Sequence, residues 1–202
     1  MDPSTEERIK EAARRLFMQQ GFEGTKTRDI AKEAGINLAL MNYYFRSKQN
    51  LFDIIMMEHM RSFIGGIALG FNDTTTSFDE KIAFYANAYI DLLTAQPDLP
   101  LFIMTALRSN PALITEKLGV KKMLLESHFM QQFAEEVATH RIAPIPPMQF
   151  VMNLFGLTVF PFIARPFFQT MSDISTEQFN AMMQERKHQI PLWIHSMLEV
   201  RS

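Results

Sequence analysis

Apolar residues recur along most of this chain three and four positions apart, the period of an amphipathic α-helix. Ile9, Ala12, Ala13, Leu16 and Phe17 form the first such stripe. Ser4 and Glu7 precede it in the S-x-x-E spacing, where hydroxyl and carboxylate each satisfy a backbone N–H at the helix start. Gly21 is expected to end this helix, because glycine accepts the left-handed conformation needed just past a helix terminus. Thr27 is a candidate cap for a short helix holding Ile30, Ala31 and Ala34, which Gly35 ends. Asn37 caps another short helix, through about Tyr44 or Phe45. Ser47 caps a longer one carrying Leu51, Ile54, Ile55 and Met56.

The segment from Gly65 to Thr76 is rich in Gly, Asn and Thr and reads as a loop. Ser77 and Glu80 form a second capping box, opening a helix through about Ala95. Pro97 and Pro100 punctuate the next turn, and Asn110-Pro111 is a cap followed by proline in the first helical position. One amphipathic helix is expected from about Lys121 to His140. The proline-rich stretch 143–147 breaks the pattern. Two long helices follow, about Pro147 to Thr170 and Ser175 to Val200, the second with a capping box at Ser175 and Gln178. No strand alternation and no internal repeat is present. The class is all-α, with about nine helices.

Thr27 to Phe45 reads TRDIAKEAGINLALMNYYF. Two short helices meet at Ala34-Gly35-Ile36, Ala31 permits their close approach, and Ile30, Ile36, Met41 and Tyr44 can close a small core. That is a helix-turn-helix layout, in which the second helix enters the major groove of DNA. Charge agrees modestly. Residues 1–48 hold nine Lys/Arg against seven acids, net +2, while the whole chain of 202 residues is −2, leaving −4 for the remainder. A mildly basic head on an acidic body permits phosphate binding at one end.

From Ile9 to Leu51 the sequence resembles the N-terminal domain of the TetR family of repressors. The matching positions are Ala13, Leu16, Phe17, Gly21, Phe22, Thr25, Thr27, Asp29-Ile30-Ala31, Ala34-Gly35-Ile36, Tyr44-Phe45, Ser47-Lys48 and Leu51. The resemblance covers about a quarter of the chain. A weaker likeness lies in Val159 to Pro166, similar to a proline-kinked segment of some members. The resemblance implies a DNA-binding domain over 1–48, joined by a helix at about 48–65 to a ligand-binding and dimerisation domain over 49–202. It implies a homodimer on a pseudo-palindromic double-stranded operator, released by a small-molecule inducer. The DNA-facing positions it implies are Thr25, Lys26, Thr27, Arg28, Asn37, Leu38, Ala39, Asn42, Tyr43 and Lys48. Asn42 suits a bidentate contact to adenine, Leu38 or Ala39 a thymine methyl, and Lys48 a phosphate at a helix N-terminus. Two departures stand out. Many members carry Gly or Thr where Ala39 and Leu40 stand, and Tyr in place of Asn42. The helix Leu38–Phe45 also lacks Lys and Arg, so guanine readout by it is not expected.

The remainder is skewed toward Met and Phe, which number 15 and 18 in the chain. Adaptable thioethers and rings suit a pocket for apolar or amphipathic ligands, though each residue singly reads as ordinary core. Phe84, Tyr85, Tyr89, Phe102, Thr105, Phe129 and Phe155 are the candidate ligand contacts. Pro161, Pro166 and Pro191 are expected to interrupt two helices and leave room for a cavity. Leu154, Val159, Phe179, Met182, Ile190, Trp193 and Met197, on the last two helices, are the candidate dimer contacts.

The chain has no cysteine, and its five histidines form no metal-binding pattern, so neither metal nor cofactor is expected. The longest apolar run, Phe150 to Ala164, is too short for a membrane span, and the first residues show no apolar signal region. A cytoplasmic location without membrane association is the expectation. No Gly-rich phosphate loop or nucleophile elbow appears, and no enzymatic activity is expected. The rival is an all-helical lipid-binding protein or small enzyme whose N-terminal motif is only structural.

Overall fold

The computed structural model describes residues 4–97, 99–109, 111–112, 115–116 and 118–200. Among the described residues the regular structure is wholly helical, the class that the periodicity predicts. The head comprises α1 (Thr5–Gly24), α2 (Thr27–Glu33) and α3 (Leu38–Phe45), and α4 (Lys48–Asn72) leaves it. The body continues with α5 (Phe78–Ala95), α6 (Leu99–Ser109), α7 (Val120–Leu125), α8 (His128–Ala138), α9 (Pro147–Ile163), α10 (Arg165–Ser172) and α11 (Thr176–Leu198). The expected cap at Asn110 lies outside the described residues.

Local chemistry sets most boundaries in the head. Ser4 accepts from the Glu7 N–H. Gly21, at φ 68°, bends α1 and sets its last turn at an angle. α2 ends in a Schellman motif: Gly35 takes φ +66°, its N–H reaches the Lys32 carbonyl, and the Ile36 N–H reaches the Ala31 carbonyl. Asn37 then caps α3 by accepting from the Leu40 N–H at 2.8 Å, and Ser47 caps α4 through the Asn50 N–H. Thr27 is the first residue of α2 and not its cap. Lys26 occupies the cap position without a side-chain bond.

α4 overruns the loop expected at 65–76. Its apolar stripe continues as Met60, Ile64, Ile67 and Phe71, all buried, and burial of that stripe outweighs about 1 kcal/mol of propensity lost at each glycine. At Gly70 a Cβ would stand 2.3 Å from the Phe84 ring, so the glycine admits that ring. By length and composition α4 could cross a membrane, with a mean hydropathy of 1.2 in its most apolar window. Here it packs on α1, α5, α6, α7 and α8. The turn after it is held by Lys81, whose buried ammonium donates to the Asp73 and Thr76 carbonyls, both at 2.6 Å.

Two expected helices are divided. The Lys121–His140 segment breaks at buried Ser127, whose Oγ donates to the Leu124 carbonyl behind it and accepts from the Met130 N–H ahead. The 147–170 segment turns by 61° between α9 and α10. Pro161 deletes a main-chain bond within α9, and Pro166 takes a first-turn position of α10, where no N–H partner is lost. The carbonyl that Pro161 leaves without a donor is that of Leu157, and Arg186 on α11 donates to it at 2.8 Å. Pro191, by contrast, sits within a continuous α11.

Candidate nucleic-acid interface and internal cavity

α3 turns Met41 and Phe45 into the head, where they meet Ile30 and Ala31 of α2; all four are buried. Its other side faces outward. Ala39, Asn42 and Tyr43 are exposed, Tyr43 by 79%, while Leu38 is half-buried. Asn37 is exposed, but its carboxamide oxygen is committed to capping. Lys26 and Arg28 are exposed beside this side of the head and Thr27 is half-buried.

Thr25 and Lys48 are placed otherwise than expected. Thr25 is 1% exposed and its hydroxyl donates to the Gly21 carbonyl at 2.8 Å. Lys48 folds back, its ammonium donating to the Phe22 and Thr25 carbonyls at 2.7 and 3.0 Å and lying 4.1 Å from the Phe22 ring centre. Together they strut the α1–α2 link against the start of α4. A strut of this kind joins partners more than 20 residues apart, which local spacing does not reveal.

The remaining cations of the head divide into two sets. Lys10 and Arg14 both reach Glu58 on α4, and Arg15 pairs with Glu11 and Glu33. Burial acts to raise the Glu58 carboxyl, but hydrogen bonds from Lys10 and Arg14 outweigh it and hold Glu58 below its ordinary value. Lys26, Arg28 and Arg46, like Arg8 and Lys32, make no ion pair among the described residues. Sequence reasoning passed over Arg46. It ends α3 at φ 62°, an uncommon conformation for a residue with a Cβ, and is exposed at the end of that helix.

The body holds a partly open cavity of about 330 Å³. Met60 and Ile64 of α4, Tyr85 and Tyr89 of α5, and Ile103 of α6 form part of its wall; Met123 of α7, Phe129 of α8, and Leu154 and Phe155 of α9 complete much of the rest. Of the candidate ligand contacts, Tyr85, Tyr89, Phe129 and Phe155 line this cavity. Phe84, Phe102 and Thr105 do not line it. Phe84 is 40% exposed and its ring lies against Gly70. Phe102 packs edge-on against Phe52, and Thr105 is exposed with its hydroxyl on the Leu101 carbonyl.

The candidate dimer residues divide likewise. Leu154, Val159, Phe179 and Ile190 are each at most 4% exposed within the single chain, so they cannot meet a partner. Met182, Trp193 and Met197 are 50%, 37% and 46% exposed on α11, and Met148, Met152 and Phe160 are exposed on α9. The Arg186 guanidinium lies 4.8 Å from the Trp193 ring centre. Among the described residues no group of three metal-ligating side chains comes together.

Residues 9–55 match the family model of the bacterial regulatory proteins of the tetR family. The chain is 27% identical over 204 residues to a probable HTH-type transcriptional regulator, YttP, of Bacillus subtilis, spanning 98% of this chain and 95% of that protein. It shares its fold with a TetR transcription regulator from Haloarcula marismortui, at TM-score 0.67 and 15% identity over 96% of this chain and 98% of that one. It also resembles the regulator FadR of Bacillus subtilis, solved in complex with stearoyl-CoA, at TM-score 0.57 and 17% identity over 96% of this chain and 99% of that one.

Proposed function

This chain is a transcriptional regulator of the TetR family, and on that premise we propose that it is a homodimeric repressor released from its operator by a small apolar or amphipathic molecule. Residues 1–48 are the DNA-binding unit and 49–202 the ligand-binding and dimerisation unit in this reading. The observation that carries it is α4. One continuous helix begins beside the recognition helix at Lys48 and supplies Met60 and Ile64 to the cavity wall. A ligand that moves this wall moves the head with it. FadR, solved with stearoyl-CoA, supplies a precedent for an amphipathic ligand in this fold.

In the DNA complex α3 lies in the major groove. Asn42 reads adenine, Leu38 and Ala39 pack on thymine methyls, and Tyr43 donates to phosphate. Lys26, Arg28 and Arg46, which make no ion pair among the described residues, take the phosphate role in place of Lys48, which is already held by two carbonyls. Two such heads, one per protomer, read a two-fold site. The dimer face comprises the exposed apolar positions Met182, Trp193 and Met197 of α11, with Met148 and Phe160 of α9.

The test is selection of binding sites from a randomised duplex library by the full chain, followed by fluorescence anisotropy across salt concentrations. Enrichment of two-fold-symmetric sites, with affinity falling steeply as salt rises, is the expected result. Absence of enrichment together with salt-independent binding would overturn the proposal.

A further inference from the structure

The cavity wall has an unusual polar economy. Among its described lining residues there is no carboxylate, ammonium, guanidinium or imidazole, and Tyr85 and Tyr89 supply its side-chain hydrogen-bonding groups. Their rings lie 4.4 Å apart, and Thr158 neighbours the Tyr85 phenol. Thr158 donates its own proton to the Leu154 carbonyl at 2.9 Å, so toward the phenols it can only accept. The phenol pair thus keeps hydrogen-bonding capacity for a ligand.

We infer that the ligand of this cavity is a compact, uncharged molecule with an apolar body and one hydrogen-bonding group, received by the Tyr85–Tyr89 pair. The inference rests on the ligand-cavity reading proposed above and narrows it. A buried charge without a partner is among the most costly things a protein interior can hold. Burial raises Tyr89 to about 12 and Tyr85 well above its ordinary value. Both phenols therefore stay neutral at cellular pH and cannot act as counter-ions to a cation. Nor, among the described residues, does the wall offer any cation to a carboxylate or phosphate: Lys121 and Lys122 of α7 are exposed to solvent while their neighbour Met123 faces the cavity. A neutral hydroxyl, ketone or phenol asks only for the hydrogen bond that the tyrosines can make. Size points the same way, since about 330 Å³ lies at the lower end of the range for ligand pockets. Met60, Met123 and Met152 let the wall adapt to the ligand's shape.

Calorimetric titration of the full chain at pH 7.5 with four isosteres tests this: naphthalene, 2-naphthol, 2-naphthoate and 2-naphthylmethylammonium. We expect 2-naphthol to bind best and both charged compounds to bind at least about 100-fold more weakly. Tyr89→Phe should weaken 2-naphthol about 5- to 10-fold and leave naphthalene unchanged. Ile103→Trp, which fills the cavity, should abolish all binding. If a charged isostere binds as well as 2-naphthol and Ile103→Trp abolishes it, the cavity reading stands and the neutral class is overturned. If Tyr89→Phe leaves 2-naphthol unaffected, the tyrosine pair is not the receiving group. Failure of all four to bind, or binding that survives Ile103→Trp, overturns the inference and the ligand-cavity reading together.

Discussion

In the head, Ile30, Met41 and Phe45 close on one another with at most 2% exposure, while Lys26, Arg28 and Arg46 stand at the surface without an ion pair among the described residues. Between α4, α5, α7 and α9 the arrangement is reversed. Apolar side chains there leave about 330 Å³ open, and no charged group lines the space among the described residues. A solid core under a polar surface fixes the relative placement of side chains that face outward. A hollow core under an apolar wall can change shape at small cost, because fewer contacts are lost when a wall residue moves. The two regions share one helix, so a change of shape at the cavity wall has a route to the head.

The largest expected effect concerns assembly. Met182→Glu combined with Met197→Glu places charge on the exposed apolar side of α11 and should yield monomers in sedimentation. Operator affinity should fall about a thousandfold or more, toward the non-specific level. A double variant that remains dimeric would remove α11 from the interface. Phe179→Glu is a different experiment: that ring is buried against Phe162, so the charge should unfold the chain.

Packing is the next contrast. Leu51→Ala, in the solid region, should cost about 2–5 kcal/mol in chemical denaturation. Overfilling a solid core typically costs about 1–3 kcal/mol, as Ile30→Phe should. Ile103→Phe, at the cavity wall, should be close to neutral, because the ring enters open space. Equal losses for the two phenylalanine variants would mean that the body is as solid as the head.

These contrasts also explain what the sequence made legible. The head was readable because its signals are local: Gly35 at a left-handed turn, Asn37 and Ser47 as caps, and Met41 and Phe45 one turn apart facing inward. The body was readable in class and in most of its helices, but not in its faces. α9 is apolar nearly all round, with Leu154 on the cavity, Val159 in the core and Phe160 exposed. On α11, Phe179 and Ile190 are buried while Met182 and Trp193 are exposed, and hydrophobicity alone does not distinguish a core from an interface. The length of α4 was misread because Gly65, Gly66 and Gly70 suggest a loop, whereas the stripe through Phe71 decides the matter. Lys48 resembled a free phosphate ligand because its carbonyl partners lie far away in the chain.

A smaller effect separates the two sets of cations. Arg46→Ala, Lys26→Ala and Arg28→Ala should each weaken binding to all duplexes by a similar factor. Each should also lower the slope of log affinity against log salt by about one per protomer. Lys48→Ala should instead lower the melting temperature of the protein, with a smaller change in slope. A full unit lost in Lys48→Ala, with no loss of stability, would restore it to the phosphate contacts.

The smallest effect is acid sensitivity at the α1–α4 latch. The Glu58 carboxyl is depressed in the folded state, so its stabilising contribution is present above its ordinary value of 4.5 and is lost as pH falls through the depressed value. Glu58 is partly exposed and screened, so the contribution is at most about 1 kcal/mol. Glu58→Gln should flatten this part of the stability–pH curve below 4.5. A curve of unchanged steepness would assign the acid sensitivity to other groups.

The central claim is that cavity and DNA face are coupled through α4. The most direct measurement is the operator affinity of the full chain, by anisotropy on the selected duplex, with the cavity empty and with it saturated by 2-naphthol. Coupling through a shared helix predicts a loss of about 5- to 150-fold in operator affinity on saturation, and the same factor lost in ligand affinity when the operator is bound. An operator affinity that stays unchanged while calorimetry shows the cavity filled would contradict it.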